Sequence, residues 1–400
     1  MVNETNILIQ FKEKIFKKNK QKSGTALDGM NGVMKCINFF AYVSGIEFID
    51  DWRKNVRIGF AVIVLSLVLT CATYTICVFF PSTDNIILVG GIAFNSTVWT
   101  KLIFVSVKHE KFMSLVQYIY KVLKCEASAQ RERIFMNVTK NIYYHLEINV
   151  SGIFAGLVFY SAFPCYEFFF NGKLTLVSPM LLPYVNPNHI RGYLITSAYN
   201  IFVVTFSLTI SIATSSLFFA FVDAYNGLVC LLEHDFGTFD VMCTKNESRR
   251  TYDVTFRNLM MKLMDLVRFS CYMGHLFSFV STVQVAMSCL VVVSCLGAFL
   301  AFDYVGGLGA AVCLYTEMLM YCYIGQLLDN TNKQIATVIC NAKWYTYKVK
   351  YQRDMMTALY VAQKVKPILL ANMFSLNFAT GLKITKNIYT LIMFMLEMFN

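Results

Sequence analysis

The chain has 400 residues, 56% of them apolar and 15% aromatic, with only 15% charged and a formal net charge of +11. A soluble globule carries about 25% charged residues, so this composition cannot coat a water-facing surface. The 35 Phe and 23 Tyr exclude a disordered chain, and the thirteen Cys, which stand singly without a C-x-x-C pair, exclude a disulfide mini-scaffold and a zinc ribbon.

Residues 1–57 open with the basic run FKEKIFKKNKQK, which lacks the apolar core of a signal peptide. The run reads as a solvated tail or as a surface helix drawn to anionic lipid. Cys36–Ile49 is weakly apolar and too short to span. A transmembrane helix takes about 20 apolar residues. Seven stretches meet that length: Ile58–Phe80, Ile86–Val107, Ile148–Phe170, Leu194–Val222, His275–Phe302, Val305–Leu328 and Pro367–Leu396. Six spans are therefore expected in 58–328 and the seventh in 367–396. Pro164 is expected to kink the third.

Charge orients these spans. Segments 1–57, 108–147, 223–274 and 325–366 hold all but five of the 35 Lys and Arg. Cationic flanks resist translocation, so those segments are assigned to the cytoplasm, with the N-terminus inside and the C-terminus outside. The net charge follows from this bias, and no basic stripe with interleaved aromatics points to nucleic acid. The N-x-S/T sequons at Asn3, Asn95, Asn137, Asn149 and Asn246 all fall inside the cell or within spans on this topology.

No phosphate loop, H-E-x-x-H helix or G-x-S-x-G elbow occurs, and the five His are scattered, so no enzyme, metal or cofactor is expected. Within the spans the ionisable residues are Lys101, Glu167, Glu317, Lys383 and Lys386. Lys101 is expected to snorkel toward the cytoplasm, and Glu167 to be hydrated at the outer interface. Glu317, near mid-span, requires a partner or a polar cavity. Lys383 and Lys386 are either functional or the partners of Glu317.

On the seventh span one stripe runs Leu382, Thr385, Lys386, Tyr389, Ile392, Met393 and Leu396, while Ile384, Ile388, Leu391 and Met395 on the other face are apolar. A polar stripe in lipid must meet protein or water. Either several copies wall a hydrated conduit closed by an apolar constriction, or the stripe is ordinary helix packing.

The C-terminal hundred residues resemble the insect odorant receptor family. The resemblance rests on Y-C-Y-I-G-Q-L-L (Tyr321–Leu328), Trp344 and Tyr345, Arg353, Q-K-V-K-P (Gln363–Pro367) and F-A-T-G-L-K-I-T-K-N-I-Y-T (Phe378–Thr390). Tyr389-Thr390 stands where the family has Tyr-Ser. The related gustatory receptors end in a Q-F pair, where this chain has Met395-Leu396. The obligate co-receptor carries a much longer loop where this chain has 223–274, so the chain resembles an odorant-specific tuning subunit.

The resemblance implies an all-α membrane protein and a non-selective, ligand-gated cation channel. It would assemble with the odorant co-receptor as a heterotetramer in the plasma membrane of olfactory sensory neuron dendrites, with membrane lipid and a small volatile odorant as its other partners. A cytoplasmic anchor region at 325–366, including Gly325–Gln363, would hold the tetramer. The seventh helix would line the pore through Thr385, Lys386, Tyr389, Ile392, Met393 and Leu396, with Ile392 or Leu396 nearest the gate. The odorant would sit in the outer halves of spans two, three, four and six. Those halves contain Phe94 and Val98; Phe159, Ala162 and Phe163; Tyr199, Phe202 and Val203; and Leu308, Ala311 and Tyr315. Tyr199 or Tyr315 would supply a hydrogen bond.

Two rival readings fit less well. A G-protein-coupled receptor needs the opposite orientation and an acidic-Arg motif where this chain has His145-Leu146-Glu147. A transporter should show repeated halves, and no repeat is visible.

Overall fold

The computed structural model describes residues 25–45, 56–79, 84–124, 128–172, 174–176, 178, 180–185, 189–244, 249–302 and 305–399. The basic N-terminal run, Asn3 and Asn246 lie outside them.

The described residues form ten α-helices and a two-stranded hairpin. Helix α1 (Ala26–Ser44) starts at Thr25, whose Oγ1 accepts from the Asp28 N–H, and ends at Gly45 in the left-handed conformation (φ 77°). It is too polar to span. Met30, Val33, Met34, Ile37 and Ala41 make a buried stripe at helical spacing, packed on α5 and α6. Next come α2 (Val56–Phe79), α3 (Asp84–Val107), α4 (His109–Lys124) and α5 (Ala129–Phe170). Then follow α6 (Ile190–Thr244), α7 (Arg249–Phe302), α8 (Val305–Asn341), α9 (Val349–Gln363) and α10 (Phe378–Phe399).

Six of the seven expected spans are helices long and apolar enough to cross a membrane: α2, α3, α5, α6, α7 and α8. Helix α2 is apolar all round and exposes Phe60, Ile63, Leu67 and Val78, a surface suited to lipid tails. Pro164 lies inside an unbroken α5.

Two expectations are corrected. The segments between spans are largely helical, not loops. Helices α6 and α7, of 55 and 54 residues, run about 80 Å each at 1.5 Å per residue, far beyond a hydrocarbon core of about 30 Å. Hydropathy loses them where they leave the apolar run, but an amphipathic stripe continues on α6 as Leu228, Leu231, Leu232, Phe236 and Phe239 and on α7 as Phe256, Leu259, Leu263 and Leu266. The last element is also shorter than 367–396. Leu369–Leu370 pairs antiparallel with Phe374–Ser375 across a turn in which Ala371 and Asn372 have positive φ (48° and 59°). This hairpin is held to α7 by Ser278 Oγ donating to the Leu369 carbonyl (2.5 Å) and the Ala371 N–H donating to Thr282 Oγ1 (2.9 Å). Helix α10 starts only after Asn377, whose Oδ1 accepts from the Thr380 N–H at 2.9 Å.

Below the expected membrane region, the ends of α6, α7 and α8 pack with α9. Phe239, Tyr252, Phe256, Tyr347 and Tyr351 form one aromatic cluster, with ring centroids as close as 4.5 Å. Asp240 ties the turn after α8 to α6, accepting from the Lys343 N–H (3.2 Å) and the Tyr347 hydroxyl (2.5 Å). Burial and that carboxylate push the Tyr347 phenol up, keeping it a donor. Asp240→Ala leaves both donors without this acceptor and should cost about 1–3 kcal/mol. A lowered thermal midpoint in detergent is the expected result, and an unchanged midpoint would show that the turn is held without Asp240.

Candidate functional site: a lined cavity above a buried polar core

Helices α2, α3, α5, α6, α7 and α8 line a partly open cavity of about 110 Å³. Small residues open it: Gly90 and Gly91 on α3, Gly156 on α5 and Gly307 on α8. Gly156 lets α5 approach α8 so closely that a Cβ there would lie 2.5 Å from Cys313 Sγ. Phe94, Val203, Val291 and Leu314 supply most of the apolar wall, and Asn95, Tyr160, Ser178 and Ser207 the polar part.

Of the eleven residues expected to meet ligand, Phe94 and Val203 line this cavity. Val98 and Ala311 are buried in the packing around it. Tyr199 is half-buried and donates to Cys71 Sγ (3.8 Å), while Tyr315 turns toward α10 and hydrogen-bonds Thr385 (3.1 Å). Phe163 is half-buried, whereas Phe159 (69% exposed), Ala162, Phe202 and Leu308 face outward from the bundle. The cavity thus takes expected residues from α3 and α6, while on α5 it meets a different face from the one expected. Gly156, Leu157 and Tyr160 hold the inner side, and Phe159 sits about 100° around the helix from Tyr160. Tyr160, Asn95 and Ser207 carry no sequence signal beyond polarity within a span.

Beneath the cavity the expectation for Lys101 is overturned. It does not snorkel: it is 1% exposed, and its Nζ donates to Glu317 Oε1 (2.8 Å) and Ser211 Oγ (2.6 Å). Ser211 donates in turn to the same carboxylate oxygen at 2.5 Å. Glu317 thus takes its charge partner from α3, and not from Lys383 or Lys386, which are exposed on α10. Two single charges of opposite sign in separate spans were the available signal, since lone charges in lipid are costly. Glu167 is only partly buried and accepts from Asn171 Nδ2 (2.9 Å). Deeper along the bundle, Asn149 donates to Ser215 and Ser216, and His145 bridges Asp223 (2.7 Å) and Tyr323 (3.1 Å). Asn95 and Asn149 are buried, so neither sequon is accessible, whereas Asn137 is exposed on α5.

Helix α10 packs on α7 and α8 with Gly381, Ile388 and Ile392 inward. Ile392 is 8% exposed, Leu396 packs on the core, and Thr385 is tied to Tyr315. The free side carries Leu382, Lys386, Tyr389 (66% exposed), Thr390, Met393, Phe394 and Glu397. The stripe read from sequence therefore straddles two faces. Tyr389, Met393 and Lys386 are free, while Ile392, Leu396 and Thr385 belong to the subunit's own packing.

A family model described as 7tm Odorant receptor matches residues 91–389. The fold is also that of the insect olfactory receptor OR5 from Machilis hrabei in complex with eugenol, with a TM-score of 0.75 and 12% identity, covering 91% of this chain and 97% of that one. A second structure of the same receptor gives a TM-score of 0.73 at 12% identity, over 92% of this chain and 98% of that one. A match over well over half its length, on a multi-pass membrane fold, means that this chain is a member of the 7tm odorant receptor family, a family of receptors and not of enzymes.

Proposed function

We propose that the chain is the odorant-tuned subunit of a ligand-gated, non-selective cation channel. In this reading it assembles with the odorant co-receptor in a heterotetramer at the plasma membrane of olfactory neurons. The N-terminus is cytoplasmic, as the distribution of Lys and Arg requires. The odorant occupies the cavity between α3, α5, α6 and α8, and α10 walls the pore with its free face.

The observation that carries this reading is the free face of α10. A helix tipped by the apolar run Leu391–Leu396 leaves the Lys386 ammonium and the Tyr389 hydroxyl exposed on one side, and a charge there is costly against lipid but not against an aqueous axis. Transmission has a short route. Ala310 and Leu314 of α8 line the cavity, and Tyr315 of the same helix bonds Thr385 on α10. A ligand that binds better when α8 is displaced therefore biases α10. Moving such an equilibrium from 1:99 to 99:1 takes about 5.5 kcal/mol of differential binding, which several occupied subunits can share.

Cysteine accessibility tests the assignment. In cells expressing the chain with the co-receptor, a water-soluble thiosulfonate applied during odorant pulses should alter the current of Tyr389→Cys and Met393→Cys and leave Ile392→Cys unchanged. Modification at Ile392 with silence at Tyr389 and Met393 would place the pore on a different face, and silence at all of them would remove α10 from the pore.

A further inference from the structure

The free side of α10 is charged on both sides of its apolar run. Lys386, Met393 and Glu397 are all exposed, and at 3.6 residues per turn they lie within about 20° of one line along the helix. At 1.5 Å per residue, Lys386 stands about 10 Å to the cytoplasmic side of Met393 and Glu397 about 6 Å to its outer side. The depth of the lysine is unusual. Its neighbour Thr385 is bonded to Tyr315 (3.1 Å), and Tyr315 stands two residues from Glu317, in the middle of the apolar stretch Val305–Leu328. Snorkelling suits a lysine near the end of a span, and this one is at mid-depth. The carboxylate at its level, Glu317, is already held by Lys101, and no carboxylate pairs with Lys386 among the described residues. The ammonium therefore needs water.

Fixed charges on a channel wall choose among ions, because each acts twice as strongly on a divalent ion as on a monovalent one. We propose that Lys386 and Glu397 set the divalent-to-monovalent selectivity of the channel. Glu397 gathers cations at the outer mouth, and Lys386, on the far side of the apolar run, holds back calcium relative to sodium. This rests on the channel reading above, since it takes the free face of α10 to meet the ion path. Lys383 lies about 60° off the same line and one turn nearer the cytoplasm, so it has less influence. Coulomb's law sets the scale. One lysine about 7 Å from the ion, through water partly screened by salt, changes the preference for a second unit of charge by about two- to threefold.

The test is the ratio of calcium to sodium permeability, read from the reversal potential of odorant-evoked current in cells expressing the chain with the co-receptor. A panel of small volatile alcohols, esters, ketones and phenols is screened first, and its most effective member serves as the agonist throughout. Lys386→Gln should raise the ratio about two- to threefold and Lys386→Glu by about the square of that factor, while Lys386→Arg leaves it in place. Glu397→Gln should lower it, and Lys383→Gln should move it less than Lys386→Gln does. A reversal potential does not depend on how many receptors fold or reach the surface, so poor expression of a variant cannot imitate these shifts. A ratio unmoved by both Lys386→Gln and Lys386→Glu, shifts of the same sign in Lys386→Gln and Glu397→Gln, or an equal shift in Lys383→Gln would each overturn the assignment. Silence of the unaltered receptor to the whole panel, with the receptor at the cell surface, would instead count against the channel reading on which it rests.

Discussion

Glu317→Ala is expected to lose about 3–5 kcal/mol of stability, because it strips the counter-ion from a lysine that has no access to water. Lys101 and Glu317 have side chains 1% and 2% exposed and lie 2.8 Å apart. Their attraction offsets two desolvation costs of similar size, so the pair as a whole adds little net stability, whereas half a pair is very unfavourable. The double substitution Lys101→Met with Glu317→Leu removes both costs together and should come within about 1–2 kcal/mol of the native protein, since an apolar pair of similar volume is often neutral. Glu317→Gln falls between, because an amide can still accept from Ser211 but carries no charge. The measurement is the thermal midpoint of the purified receptor in detergent, with surface delivery in cells alongside. A Glu317→Ala receptor as stable as the native one would mean that Lys101 is neutral or paired elsewhere.

Gly325→Ala should be nearly as damaging, for a steric reason. A Cβ at that position would stand 2.2 Å from the Leu376 carbonyl oxygen and 2.5 Å from Leu376 Cγ. A side chain could rotate away, but a backbone oxygen cannot move without shifting the segment that leads into α10. Overpacking costs about 1–3 kcal/mol where neighbours adjust, and this site belongs at or above the top of that range. Gly381 on α10 makes the same crossing with α8, where a Cβ would meet Cys322 Sγ at 3.0 Å. That obstacle is a side chain, so Gly381→Ala should cost less. Equal and small losses at both positions would contradict the crossing geometry. Current in any surviving Gly325→Ala receptor should show raised odorant thresholds, because displacement of α10 precedes any ligand.

The composition, the charge asymmetry and the run of apolar stretches were enough to determine a helical, multi-spanning receptor fold, because lipid leaves a chain little choice. Every backbone group must be satisfied within its own helix, and that constraint acts on local sequence alone. The motif order around Tyr321–Leu328 and Phe378–Thr390 placed the family for a similar reason: neighbouring residues carry it. What pairs with what was decided only by tertiary structure. Lys101 and Glu317 are 216 positions apart, and sequence showed two isolated charges where the fold makes one ion pair. The same holds for facing. A helix turns about 100° per residue, so knowing the depth of a span leaves its inward side open. Phe159 therefore points outward while Tyr160 beside it reaches the cavity, and Ile392 is buried while Met393 is free. Facing is set by which neighbours a helix meets, and those neighbours come from contacts across the whole chain.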